Sequence, residues 1–269
     1  MSAAVLAPAY GLTPYCGAPP TPASLLSRWN LDPILLACLL AALGAYLALS
    51  PRNRQPAWRQ ACFCAGWAIG ALALVSPLCP LSVALSAARI GQHMVLISIV
   101  APLVALGRPA QVYGWRIGPL GGRRGELAAA VVFTAALWFW HAPAPYVATF
   151  QSVPAYWLMH LSVFGAACWL WSSLFQAAKD RIGGFLAAAM ITTLQMGFLG
   201  ALITFASHPL YRVHALTTAA WGLTPMQDQQ LGGVIMWVPA GVIFLGAIVH
   251  ALASAMRRGE AMAVARAAR

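Results

Sequence analysis

The sequence predicts an all-α, polytopic membrane bundle of about seven transmembrane helices, with the N-terminus outside and the C-terminus in the cytoplasm. Three observations carry this expectation: overall apolarity, a succession of separate apolar runs, and the alternation of positive charge between the connecting segments. Of the 269 residues, 61% are hydrophobic and only 8% charged, with a mean hydropathy of +0.75. A water-soluble domain of this size cannot cover so much apolar surface, so lipid must be the solvent for most of the chain.

Residues 1–31 are rich in proline and lack a basic start followed by a continuous apolar core, so they read as an exposed tail rather than a signal peptide. Seven stretches then approach the ~20 residues needed for one crossing. They run roughly from Asp32 to Ser50, Trp58 to Leu78, Val83 to Leu106, Glu126 to His141, Pro154 to Gln176, Gly183 to Ala206 and Leu231 to Ala253. The fourth is the shortest. Asp32-Pro33 opens the first as a cap and first-turn proline, and Pro77, Pro80, Pro143 and Pro145 punctuate span ends. Gly66 and Gly70 form a small-xxx-small pair suited to close helix packing. Residues 32–253 thus form one transmembrane domain, followed by a basic tail over 254–269.

Charge gives the orientation. With the loops after spans one, three and five and the C-terminal tail on one side, that side holds 13 of the 16 Lys and Arg residues; Arg28, Arg89 and Arg212 fall elsewhere. The positive-inside rule places that side in the cytoplasm. The basic residues are dispersed between apolar runs rather than striped along a helix, which argues against nucleic acid as a partner. No span contains a lysine for a retinal Schiff base. The six cysteines have no zinc-type spacing and read mostly as small buried apolar groups. Cys16 and Cys79 fall on the outer side, and their pairing is left open.

In this topology five of the six histidines lie at or below the outer face. His141 ends span four, His160 lies about two turns into span five, and His93 lies some ten residues into span three. His208 and His214 lie in the last outer loop, with Asp228 just before span seven. Ionisable groups in a bilayer are costly and usually face a bundle interior, often with a function. A lone membrane histidine commonly ties two helices together; convergence from several spans favours a site. Met94, Met159, Met196 and Met236 accompany these residues, and imidazole with thioether suits copper. Arg89 shares a helix face with His93 and is a candidate ion-pair partner for Asp228.

The segments around these residues carry a resemblance. Gln92-His93-Met94 followed by Ala101-Pro102-Leu103-Val104-Ala105-Leu106-Gly107-Arg108-Pro109, then Trp140-His141-Ala142-Pro143, Met159-His160-Leu161-Ser162 and Asp228-Gln229-Gln230-Leu231-Gly232-Gly233, resemble the integral-membrane cytochrome c oxidase assembly proteins of the CtaG type. The resemblance runs from about Ser82 to the end of span seven. It implies a non-catalytic membrane factor that helps to build a haem–copper oxidase, with oxidase subunits as partners and copper as the metal supplied. The implied metal residues are His93, His141, His160, Asp228 and Met236, supported by Arg89, Gln92, Trp140 and Gln229. One position departs from the family pattern: Arg89 stands where a second histidine usually precedes the Gln-His-Met histidine, which puts tight metal binding in doubt.

Two other functions remain open from the residues. A haem-binding redox protein would use His93 and His160 as axial ligands. A transporter of metal or small solutes would need a polar path, for which Thr192, Thr193 and Gln195 are the mid-membrane candidates.

Overall fold

The computed structural model describes residues 14–51, 55–114 and 125–267. Among these the chain is all-helical, with 82% helix and no strands. The elements are α1 (Pro33–Leu49), α2 (Ala57–Val75), α3 (Leu78–Ala84), α4 (Ser86–Leu106), α5 (Pro109–Val112), α6 (Gly125–His141), α7 (Pro143–Gln151), α8 (Val153–Asp180), α9 (Ile182–Phe205) and α10 (Pro225–Ala267).

Five of these helices, α2, α4, α8, α9 and α10, are long and apolar enough to cross a membrane. The fourth expected span is a broken one: α6 and α7 meet at a bend of 72° and together pass the same test, which makes six. Pro143, with no N–H to continue the helix, begins α7 directly after the break at Ala142. The first expected span, α1, is apolar but only 17 residues long. The last helix runs further at both ends than the 231–253 expected; at its C-terminal end 254–267 is rich in Ala, Arg and Met, all good helix formers. Several loop arginines used in the orientation count, such as Arg52, Arg54, Arg116, Arg123 and Arg124, lie outside the described residues.

Helix starts follow the sequence punctuation. Asp32 caps α1 by accepting from the Ile34 N–H at 2.8 Å, and Ser152 caps α8 through the Ala155 N–H. The start of α4 is different, because Leu85 precedes it and offers no side-chain cap. Asp228 from α10 supplies one instead. Its Oδ2 accepts from the Ser86 N–H and Oγ–H, both at 2.7 Å, and its Oδ1 accepts from the Ala87 N–H at 3.0 Å. A carboxylate there meets orphan N–H groups at the positive end of the helix.

Helix α4 is the hub of the bundle. Its N-terminal half packs on α10, and its C-terminal half packs between α2 and α8. Glycines set these distances. A Cβ at Gly66 would stand 2.8 Å from Leu103 Cβ, and one at Gly232 would stand 2.8 Å from Ile90 Cδ1, so neither position admits a larger side chain without displacement. The expected packing role of Gly66 is therefore realised against α4. Helix α4 also carries a π-type turn at Leu96–Val100. Pro102 lacks the N–H that would serve the Ile97 carbonyl in that register; the Trp171 indole N–H takes the carbonyl instead, at 2.8 Å.

Residues 14–31, expected as an exposed tail, are folded back on the bundle. Tyr15 stacks on Tyr156 of α8, Asn30 bonds to the end of α2, and Cys16 is disulfide-bonded to Cys79 of α3. The free cysteines differ from the buried role expected: Cys38 is exposed and Cys62, Cys64 and Cys168 are half-buried, on a surface where lipid costs a thiol little.

Candidate functional site

The chemistry-bearing residues gather where α4, the α6–α7 break and α8 meet, below the loop that joins α9 to α10. Helix α4 supplies Arg89 and His93 one turn apart. The break supplies His141, and α8 supplies Met159 and His160. All four charged or imidazole side chains are buried.

His93 is the common member of two contacts. Its ring lies 5.1 Å from that of His160, centroid to centroid. It also lines a small internal cavity together with Arg89, His141, Tyr146 and Met159. That cavity holds about 10 Å³, roughly the least that admits one water.

The backbone fixes how two of the histidines present themselves. His160 Nδ1 is 3.0 Å from the Tyr156 carbonyl, and His141 Nδ1 is 2.7 Å from the Leu137 carbonyl. A carbonyl only accepts, so the proton sits on Nδ1 and Nε2 of the neutral ring carries a lone pair. The Nε2 atoms of His93 and His160 are buried with no hydrogen-bond partner. Buried polar atoms are nearly always bonded, so two orphaned nitrogens on neighbouring rings require a functional or structural explanation.

Arg89 occupies the remaining side of the site. Its Nη2 donates to Thr149 Oγ1 and lies 3.5 Å from Met159 Sδ. The guanidinium also lies over the Phe150 ring at 4.4 Å and the Tyr146 ring at 5.1 Å. The expected ion pair with Asp228 does not form, because that carboxylate is engaged as the cap of α4; the sole ion pair among the described residues joins Arg181 to Glu126. Arginine stays charged in proteins, so a fixed positive charge stands in this core with aromatic faces, a hydroxyl and a thioether around it. The Arg89 Nε–H has no partner.

Other predicted site residues are placed elsewhere. Met236 is fully buried in α10 and, like Asp228, does not line the cavity. Gln229 bridges the ends of α9 and the following loop, donating to the Ile203 carbonyl and accepting from the Leu210 N–H. Gln92 donates to the Ala73 carbonyl, and the Trp140 indole donates to Ser162. These residues set helix spacing around the site. Among the described residues no group of three His, Cys, Asp or Glu side chains is arranged to hold a metal.

Thr149 and Phe150 were not singled out from sequence, although Tyr146, Thr149 and Phe150 show the three-and-four spacing of one helix face. The proline-punctuated segment hid that helix. His214, expected only as a loop residue, closes the site from above. Its ring bonds to the Tyr146 hydroxyl at 2.8 Å and to the Val83 carbonyl at 3.1 Å. Burial pushes it down to about 3, with the Arg89 charge acting in the same direction.

With this geometry in place, comparison with known proteins is decisive over most of the chain. The model of the cytochrome c oxidase caa3 assembly factor family matches residues 41–258. The chain belongs to this family. No curated protein and no solved structure matched it. As a caa3 assembly factor it acts in building a cytochrome c oxidase, and an oxidase-related component is its implied partner. The matched region takes in the whole of α2 to α9 and most of α1 and α10, and so includes every residue of the buried site.

Two alternatives find no support here. A cavity of about 10 Å³ beside His93 leaves no room for a porphyrin. Of the mid-membrane polar candidates, Thr192 and Thr193 return their hydroxyls to the Ala188 and Ala189 carbonyls, and Gln195 Oε1 accepts from Trp138 while its buried Nε2 has no partner. None of the three lines either the cavity beside His93 or the groove at the opposite end of the bundle.

Proposed function

We propose that this assembly factor holds copper as cargo, in the Cu(I) state, between His93 and His160 and releases it toward an oxidase subunit at the outer face of a bacterial plasma membrane. The observation that carries the proposal is the pair of unbonded Nε2 atoms on rings 5.1 Å apart. Imidazole ligates copper through such a lone pair, and a low-coordinate monovalent ion suits a two-nitrogen site better than a divalent ion seeking four or more ligands. His141 and Met159 line the same cavity as His93 and are the further donors at hand. Asp228 and Met236 drop out of the proposed ligand set, the first because it caps α4 and the second because it lies off the cavity.

The orientation has independent support. The histidine end of the bundle also carries the Cys16–Cys79 disulfide, since Tyr15 and Tyr156 join the two: Tyr156 lies 4.2 Å from the His160 ring and 4.9 Å from that of Tyr15. Disulfides belong to oxidising compartments. Arg59, Arg108, Lys179, Arg181, Arg257 and Arg258 lie at the opposite ends of their helices, as the positive-inside rule requires of a cytoplasmic face. Seven crossings follow if α1 spans as well; its 17 residues reach ~25 Å, at the lower limit for a bilayer core.

The test is Cu(I) titration of the purified full-length protein against a chelator of known affinity, beside the His93→Ala/His160→Ala double variant. Stoichiometric binding by the native chain that is lost in the variant supports the proposal. Equal uptake by both, or none by either, rejects it.

A further inference from the structure

A large concavity lies at the other end of the bundle and plays no part in the copper proposal. It is a groove of about 1250 Å³ between α2 and α5 on one side and α8 and α10 on the other, with the C-terminal half of α4 as its floor. Small-molecule sites usually measure ~300–1,000 Å³. We infer that this groove binds an anionic phospholipid, with its acyl chains along α8 and its phosphate at the basic end.

The first support is a gradient along one helix face. Leu161, Gly165, Cys168, Ser172, Gln176 and Lys179 succeed one another at three- and four-residue steps and all line the groove. The series passes from apolar to hydroxyl to amide to ammonium over 18 residues, or ~27 Å of helix. An amphiphile has the same order of chemistry along its length. Phe164 and Phe175 on this wall and Phe63 and Trp67 on the facing wall complete the apolar part.

The second support is charge. Four cations line the polar end, two from each wall. Arg59 donates to the Leu106 carbonyl at 2.9 Å, which sets it beside the chain leading to Arg108. Arg258 donates to the Ala178 carbonyl at 3.0 Å, which sets it beside Lys179. Each arginine uses one of five donors in these bonds and keeps the rest. Among the described residues no carboxylate lines the groove; Asp180, just beyond it, accepts from Gln176. Opposed pairs of like charge across an apolar groove call for an anion, and inside a membrane the anion joined to apolar chains is an acidic lipid headgroup. An apolar partner helix would fill the groove but leave the four cations without a counter-charge.

Native mass spectrometry of the detergent-purified full-length protein, after exchange into phosphatidylglycerol or phosphatidylcholine, tests the inference. Preferential retention of phosphatidylglycerol is expected, by about tenfold or more given the usual attraction of basic residues for acidic lipid. Two variants separate charge from space. Neutralising all four cations to glutamine (R59Q, R108Q, K179Q, R258Q) should bring the preference close to one. Gly165→Trp should reduce retention of both lipids, because a Cβ at Gly165 meets nothing within 4 Å and the indole can enter the groove without a clash. Thermal unfolding and a protease-accessibility check of topology confirm that each variant is folded and correctly inserted. Equal retention of the two lipids by the native chain, no retention, or a retained polypeptide in place of lipid would each overturn the inference. So would a folded Gly165→Trp protein that keeps its lipid.

Discussion

Replacing Asp228 by asparagine separates a structural carboxylate from a metal ligand. The native carboxylate satisfies three donors of Ser86 and Ala87 from a site that is 1% exposed. An asparagine amide keeps one accepting oxygen and turns its NH2 toward the other side, so one backbone N–H at the start of α4 is opposed by a donor whichever way the amide is turned. Leaving a buried N–H unsatisfied costs ~1–3 kcal/mol. Losing the negative charge at the helix N-terminus adds about 1 kcal/mol, or somewhat more at a buried end. The total, roughly 2–5 kcal/mol, corresponds to a Tm lower by roughly 5–15 °C for a chain of this size. Tryptophan fluorescence during thermal unfolding in detergent reads this directly. The folded variant should retain native Cu(I) affinity within about twofold, since the carboxylate does not face the histidines. A Tm within 1–2 °C of native, by ordinary measurement precision, or an unchanged Tm with lost copper binding, would refute the assignment of Asp228 as a cap.

Three further outcomes follow from the same structure. Removing the disulfide with Cys16→Ser and Cys79→Ser should destabilise the chain by roughly 4 kcal/mol from loop-closure entropy, given a separation of 63 residues, with the loss visible in Tm under non-reducing conditions. Because burial lowers His214 to about 3 from an unfolded value of 6.5, its stabilisation is complete above pH 6.5 and declines as pH falls toward 3, at up to about 1.4 kcal/mol per pH unit; the Tm of His214→Gln should therefore fall less steeply than native over that window. Trp171→Phe leaves the Ile97 carbonyl without its donor beside the π-turn and should cost about 1–3 kcal/mol, detected as a lower Tm and faster hydrogen exchange in α4.

The spans were legible wherever apolar runs were long and uninterrupted: α2, α4, α8 and α9 fall within a few residues of their expected bounds. The sequence failed where tertiary bonds decide. Asp228 sits among glutamines shortly after two loop histidines, and nothing local shows that its partners are the N–H groups of Ser86 and Ala87, 142 and 141 positions away. Thr149 lies just beyond Pro143 and Pro145, which in the sequence mark the end of a span, although proline is also at home in the first turn of a helix such as α7. The aromatic surroundings of Arg89 come from that same helix and were hidden with it. Cys16 and Cys79 fell on the same side by topology alone, and only the fold of residues 14–31 brings them together.

Arg89 determines what kind of copper site is open to this chain. It stands one helical turn from His93, a Cβ separation of ~5–6 Å, and ~6 Å serves as the scale for its distance from an ion at that ring. At an effective dielectric of ~20 the repulsion is about 3 kcal/mol for a monovalent ion and twice that for a divalent one. At the proposed site the charge would therefore disfavour Cu(II) strongly and lower Cu(I) affinity about 100-fold relative to the same ligands without it. A weak hold is compatible with a protein that passes its cargo on. Arg89→Gln tests this reasoning. Thr149 Oγ–H keeps its bond to the Tyr146 carbonyl, and Met159 Sδ, now contacted by Arg89 Nη2, is released as a soft donor. Cu(I) affinity should rise by about 100-fold in chelator competition, while transfer to a copper-accepting oxidase subunit slows. Unchanged or weaker Cu(I) binding by a folded Arg89→Gln protein would mean that the guanidinium does not oppose the ion, and would remove the electrostatic basis for a releasable site.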